Sequence, residues 1–250
     1  AGYMDVAPDD KGENIRREIC LSLVDMGIYP ESSHHEEGPG QNEIDFRYND
    51  PMAAADDAMN FLSVVKTAAQ RNGLYADFSP KPLEDKSGNG LHINMSVESD
   101  EKSDLSGFFM AGILSHICEI TAFLNRTEES YKRLGKMKAP GYVTWSAENR
   151  SQLIRIPAAK GTSRRIELRS PDPSANVYLA YALLIHAGVD GIEKRLAPPD
   201  PVNVNLYSVG SSFTDTLEPV PHSLDEARQI ALNSRWLASV LDDVAAFIDR

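Results

Sequence analysis

The sequence predicts an α+β domain in which helices cover one face of a largely antiparallel sheet, and three observations predict it. Long segments of helical period recur along the chain. Short segments of alternating apolar and polar residues lie between them, and no regular strand–helix–strand spacing runs through the 250 residues.

The helices come in order. Ile15, Ile19, Leu23 and Met26 recur at helical spacing and Gly27 follows as a C-terminal cap, so residues 13–26 read as an amphipathic helix. A second is predicted over 52–72, before Gly73, and a third over 104–125, where Leu105, Phe109, Ile113, Ile117, Ile120 and Leu124 share one side; both should face a core. Residues 175–196 are apolar on most sides, which predicts a deeply buried helix, and Ser223 with Glu226 forms a capping-box pattern opening a last helix to about 249.

Side chains of a strand alternate between its faces, which sorts the shorter segments. NEIDFRY sets Glu43, Asp45 and Arg47 opposite Ile44, Phe46 and Tyr48, and GLHINMSV sets His92, Asn94 and Ser96 opposite Leu91, Ile93, Met95 and Val97. In RRIELRS, Arg165, Glu167 and Arg169 share one face and Ile166 and Leu168 the other. Such a charged face meets either water or ligands, and the alternation leaves both readings open.

A hydrophobic fraction of 42% and a charged fraction of 25% are ordinary for a globular chain. No apolar run approaches the roughly 18 residues of a membrane span. A net charge of −12 argues against a nucleic-acid surface, so any phosphate must be held locally. Cys20 and Cys118, each within an apolar-periodic segment, read as reduced core residues. The first residues lack a charged-then-apolar secretory pattern, and a cytoplasmic location is expected.

Glu31, His34, His35, Glu36, Glu43, His92 and Glu167 supply carboxylates and imidazoles without thiolates, a donor set for Mg²⁺ or Mn²⁺ rather than structural Zn²⁺. By spacing alone, His34–His35 and Glu36–Glu37 equally describe a surface pair and a solvated charge run. Arg133, Arg150, Arg155, Arg165 and Arg169 form a guanidinium set suited to bidentate binding of phosphate and carboxylate. Arg155, flanked by aliphatics in LIRIP, needs either an anionic ligand or a glutamate partner if buried. Acidic and basic donors together describe an ATP–Mg²⁺ phosphoryl-transfer site, although neither common glycine-rich phosphate loop is present.

Taken in order, HHEEGPGQNEIDF, FSPKPL, GNGLHINMS, SYKRL, ENRSQLIRIP and RRIELRSPDPSANVYLAYALLIHAGVDGIEKRL resemble the catalytic domain of glutamine synthetase, particularly the bacterial type I enzymes. The resemblance runs over nearly the whole chain. It implies that residues 1–250 are the C-terminal catalytic domain in part, without the N-terminal β-grasp domain and first catalytic strand, and that the chain by itself is inactive. It implies Glu36 and Glu43 as ligands of one divalent ion, and His92 and Glu167 as ligands of another. Arg150 and Arg155 are the implied catalytic pair. Arg155 and Arg165 would contact nucleotide phosphate, and Glu31 with Asn94, Met95 and Ser96 the nucleotide. Gly88, Arg133, Arg150 and Arg169 would bind L-glutamate.

The implied reaction is ATP-dependent ligation of ammonia to the γ-carboxylate of L-glutamate through γ-glutamyl phosphate. Two Mg²⁺ or Mn²⁺ ions per site and a homo-oligomer of dodecameric rings go with it. The sequence departs from the family pattern at Lys138, near the position of a flap glutamate, and at Ser87, where asparagine is common. A γ-glutamyl–amine ligase and a catalytically silent homologue with a structural role therefore stay open. Tyr207 falls near a tyrosine that some members adenylylate, or is an ordinary loop tyrosine.

Overall fold

The computed structural model describes residues 1–98, 104–158 and 165–248, and the chain forms two compact units. The first comprises residues 1–78 and 82–88, the second residues 79–81 and the chain from 89 onward.

In the first unit, α1 (Glu13–Asp25) leads to β1 (Pro30–His35) and β2 (Asn42–Phe46), an antiparallel pair, and then to α2 (Pro51–Arg71). Gly27 and Gly73, at φ +82° and +71°, supply the left-handed residues that close the two helices, and Pro51 opens α2 where its missing N–H costs nothing. Ile19 and Leu23 of α1 pack with Ile28 and Ala68 into a small core that Ile44, Phe46 and Val65 partly cover. The core-facing expectation for α2 holds for a stripe of alanines, Ala55, Ala58, Ala68 and Ala69, while Met52 and Met59 are exposed. Tyr48 also departs from its predicted apolar side and lies open to solvent.

The second unit opens with β3 (Ile93–Met95), α3 (Ser106–Leu124), α4 (Glu128–Arg133), β4 (Trp145–Ala147), β5 (Ile154–Ile156) and β6 (Ile166–Leu168). It continues through α5 (Val177–Glu193), α6 (Ser211–Thr214), α7 (Leu224–Asn233), α8 (Arg235–Val240) and α9 (Val244–Ile248). The sheet order is β3-β6-β5-β4, antiparallel except for the parallel pair β4–β5. Ile154, Ile166 and Leu168 face a core built by α3, with Ile113, Ile117 and Ile120 fully buried, and by α5, with Ala180, Leu183 and Leu184.

Three expectations are corrected here. The predicted last helix is three: Ser234 ends α7 and caps α8, its hydroxyl accepting from Leu237 N at 2.9 Å, and α8 gives way at Leu241 before α9. The capping at its start holds, with Ser223 Oγ accepting from Glu226 N at 3.1 Å and Glu226 Oε2 from His222 N at 2.7 Å. Helix α5 is not buried all round, since Tyr178, Ile185 and Val189 line an exposed side. Helix α3 is long and apolar enough to pass for a membrane span, yet most of it is buried within the unit, as a core helix would be.

Close approach fixes how α3 and α5 pack. A Cβ at Gly112 would lie 2.1 Å from the Ala187 carbonyl oxygen, and one at Gly191 would lie 2.2 Å from that of Phe108. Only hydrogen fits at either position. Cys20 and Cys118 are free and half-buried, and burial pushes the Cys118 thiol up to about 12, so it stays protonated.

Midway along α3, His116 stacks on Trp236 of α8 with ring centroids 3.9 Å apart. Its Nδ1 bonds Glu119 at 2.5 Å and its Nε2 bonds Asp190 at 2.9 Å, while Ser234 donates to Glu119 at 2.6 Å. Burial alone would lower the imidazole pKa, but the two carboxylates outweigh it and raise it. Against their own burial, His116 and Ser234 lower Glu119, and Lys194, donating at 2.9 Å, lowers Asp190 together with His116. A raised histidine stabilises the fold fully below its unfolded pKa of about 6.5 and loses that contribution as pH rises through the folded value. The carboxylates lose theirs as pH falls through their lowered values. Denaturation midpoints should therefore fall from pH 6 to pH 9 by more in the wild type than in His116→Gln, and equal slopes would contradict the assignment.

Candidate functional site

Each unit carries its own cluster. In the first, the hairpin pairs His34 with Glu43 and His35 with Asn42. The turn after β1 returns Glu36 to the same side, with its backbone N–H donating to Gln41 O at 2.8 Å. One ligand atom each of His34, Glu36 and Glu43 lies within 4.8 Å of the others. An octahedral Mg²⁺ or Mn²⁺ with donors at about 2.1 Å sets neighbouring donors about 3 Å apart and opposite ones about 4.2 Å apart, so small adjustments would seat an ion. Glu36 and Glu43 thus come together as the sequence predicts. His34, of the same sequence-derived donor set, stands with them, its Nε2 3.2 Å from Glu36 Oε1. His35 is buried, its Nδ1 bonded to the Glu36 carbonyl at 2.6 Å, so it is no ligand candidate. Glu31 is exposed and pairs with Arg47 at 3.8 Å. Gly88 accepts through its carbonyl from Gln41 Nε2 at 3.0 Å, and Ser87 donates to Glu37 at 3.4 Å.

In the second unit the sheet aligns Asn94, Glu167, Arg155 and Ser146 in register across β3, β6, β5 and β4. Glu167 is the centre of the cluster. Its Oε2 accepts from Arg155 Nε at 2.5 Å and its Oε1 from Arg169 at 3.3 Å, and His92 Nδ1 stands 3.5 Å from Oε1. The solvated reading of this strand is overturned, because Glu167 and Arg169 are only 6% and 5% exposed. Burial would raise the Glu167 pKa; the bond from Arg155 and the nearby charges of Arg169 and Arg155 more than reverse it, so the group is a carboxylate. A carboxylate offers about four lone-pair directions, which leaves room for a cation beside the two guanidiniums.

Burial and the charge of Arg169 hold His92 far down, at about 3, opposed by Glu167. Its imidazole is therefore neutral at physiological pH, the form that ligates metal. Gly90 gives the cluster room, since a Cβ there would lie 2.9 Å from Arg133 and 3.1 Å from His92 Nε2.

Arg133, 3% exposed, donates to the carbonyls of Ser170 at 2.8 Å and Arg169 at 3.2 Å. Burial lowers it to about 10, partly offset by Asp172, and it keeps its charge. Arg169 also donates to the Arg150 carbonyl at 3.1 Å. Arg150 and Arg165 are exposed, and Arg165 donates to Asn94 at 3.1 Å. The Met95 side chain packs on the core and Ser96 is exposed, so any role of Met95 toward a nucleotide falls to its backbone. Lys138 sits exposed at φ +70°, directly after Met137 at φ +45°. Burial pushes the Tyr207 hydroxyl up to about 12, against Arg169 and Arg133.

Sequence reasoning missed Gly90 and the ion pair of Asp10 with Arg16. The strand parity of His34 with Glu43 was legible in principle once β1 was known to pair with β2. Fold and donor sets define a class: an α+β domain equipped to bind divalent cations and anionic groups.

A family model described as the catalytic domain of glutamine synthetase matches residues 1–249. Glutamine synthetase from Clostridium saccharobutylicum is 46% identical over 242 residues, 91% of this chain and 55% of that protein. The Staphylococcus epidermidis enzyme is 47% identical over 96% of this chain and 57% of its own length. Among solved structures, a GmaS complex with ADP superposes with a TM-score of 0.88 at 32% identity, over 98% of this chain and 60% of that one. The cryo-EM structure of Plasmodium falciparum glutamine synthetase gives 0.86 at 27% identity, over 100% and 60%. The chain belongs to the glutamine synthetase family. It spans somewhat more than half the length of these curated relatives.

Proposed function

We propose that this chain is the catalytic part of an ATP-dependent ligase that joins ammonia to the γ-carboxylate of L-glutamate, giving glutamine, ADP and phosphate. The observation that carries it is the buried Glu167, held between Arg155 and Arg169 and beside a neutral His92. Cation donors and anion donors meet there in one cluster.

The γ-carboxylate is a poor electrophile until it takes the γ-phosphoryl group of ATP; the resulting acyl phosphate then loses phosphate to ammonia. His34, Glu36 and Glu43 would hold one Mg²⁺ or Mn²⁺, and His92 with Glu167 another. Bound divalent ions supply neutralisation of phosphate charge. Arg150 and Arg155 would stabilise the transferring phosphoryl group, with fixed charges aimed at charge that develops in the transition state. Arg155 and Arg165 would hold nucleotide phosphate, with Glu31 and the segment Asn94, Met95 and Ser96 on the nucleotide. Arg133, Arg150, Arg169 and Gly88 would hold L-glutamate. A homo-oligomer is the expected assembly.

One observation favours a second reading. Lys138, exposed where the resemblance puts a glutamate, lacks the carboxylate that would draw in and deprotonate ammonium, which leaves a γ-glutamyl–amine ligase as that reading. Glutamate-dependent release of phosphate from ATP by the full-length protein is the test, with and without ammonium or alkylamines. Stimulation by ammonium is expected. Stimulation by alkylamines alone would favour the second reading, and nucleotide binding without turnover under any amine would leave a silent homologue.

A further inference from the structure

The hairpin that carries His34 and Glu43 presents His35 and Asn42 to its other face. On that face α1 contributes Arg16, 5% exposed, which pairs with Asp10, itself 4% exposed. Arg16 NH1 donates to Asp10 Oδ1 at 3.3 Å and to Asn42 Oδ1 at 2.5 Å, and Arg16 NH2 donates to Asp10 Oδ2. Asp10 also accepts from Gly12 N at 2.8 Å, while Asn42 Nδ2 donates to the Gly40 carbonyl at 2.9 Å. The bond from Arg16 outweighs burial and holds the Asp10 carboxyl below the usual range. Gly12 clears the path, since a Cβ there would lie 2.6 Å from Asn42 Oδ1 and 3.0 Å from Arg16 NH1.

A buried ion pair is a poor way to gain stability, because desolvation offsets most of its attraction and apolar replacements often do as well. What this pair supplies is direction. The ladder between β1 and β2 shifts register between Pro30 and Ser32, so its hydrogen bonds alone do not fix the opposite end. At that end Arg16 grips the residue next to Glu43, and Asn42 in turn grips the turn leading into β2.

We propose that Asp10 and Arg16 are positioning residues for the cation set His34, Glu36 and Glu43, acting through Asn42. The pair sets the register in which His34 faces Glu43. This rests on reading those three residues as a cation site.

The test is Mn²⁺ binding to the full chain by titration calorimetry, alongside urea denaturation, for the wild type, Glu43→Gln, Asn42→Ala, Arg16→Met and Arg16→Lys. Glu43→Gln should remove one binding event. Asn42→Ala should weaken the same event about tenfold, the low end for partners that orient ligands, with little change in denaturation midpoint. Arg16→Lys should recover part of the affinity lost in Arg16→Met. Should Arg16→Met fail to fold, Asn42→Ala still decides, since Asn42 is exposed and its loss leaves the Asp10–Arg16 pair in place. Wild-type affinity in folded Asn42→Ala, with the event still abolished in Glu43→Gln, would overturn the positioning role alone. Absence of Mn²⁺ binding in the wild type, or binding that Glu43→Gln leaves untouched, would overturn the cation site and the proposal with it.

Discussion

Gly112→Val should destabilise the second unit severely. Its first added carbon would sit 2.1 Å from the Ala187 carbonyl oxygen and 2.7 Å from Gly191 N, both backbone atoms of α5 that cannot swing aside as a side chain could. The helices must separate, and every pair they share loosens with them, including Ile113 and Leu184 in the common core. Overpacking typically costs about 1–3 kcal/mol, and a clash with backbone belongs at or beyond the upper end of that range. Gly107 is the control. It lies on the same helix with nothing within 4 Å of an added Cβ, so Gly107→Ala should be neutral or slightly stabilising. Denaturation followed by circular dichroism reads both, and a Gly112→Val protein that unfolds like the wild type would refute the packing argument.

Glu167→Ala carries the second largest expected effect. It removes the acceptor of Arg155 and Arg169 at a position 6% exposed, leaving two guanidiniums without their counter-charge. Breaking a buried pair from one side costs roughly 3–5 kcal/mol, because the remaining charge stays desolvated. Glu167→Gln keeps an acceptor for Arg155 and should fall between the two. The histidine offers a second readout. With the carboxylate gone, nothing opposes Arg169, Arg133 and Arg155, so the imidazole of His92 should titrate still lower, as NMR would show. Wild-type stability in Glu167→Ala would mean that the cluster is hydrated and its charges screened.

The parts of this fold that were legible in the sequence are those where burial imposes a period. Ile15, Ile19 and Leu23 announce α1, and the apolar file from Phe109 to Leu124 announces α3, because a helix with one covered face must repeat every three to four residues. Strand β1 announced nothing: PESSHH has no apolar alternation, since it is mostly exposed and held by backbone bonds to β2. Strand β4, WSA, shows no apolar alternation either. The break at Ser234 was written in a capping residue, yet a continuing amphipathic pattern on both sides masked it.

The site divides in the same way. Residue types disclosed the donor set, and strand parity correctly grouped Arg165, Glu167 and Arg169, but composition could not tell a wet face from a buried one. That distinction belongs to tertiary structure: β6 lies between β3 and β5, and two sequence-distant residues, His92 and Arg155, close over Glu167 together with Arg169, two positions along the chain. The Asp10–Arg16 pair was invisible for a related reason. Six residues apart, with Asp10 ahead of α1, its partners follow no helical or strand spacing.

Three-residue strands have too few rungs to hold their own alignment, and the file Asn94–Glu167–Arg155–Ser146 supplies what length does not. Sliding β6 by one position would drive Glu167 into the oily interior and lift Ile166 and Leu168 toward the charges. The polar row across this sheet thus also specifies how its strands align, because any slipped pairing would bury a carboxylate and expose aliphatics.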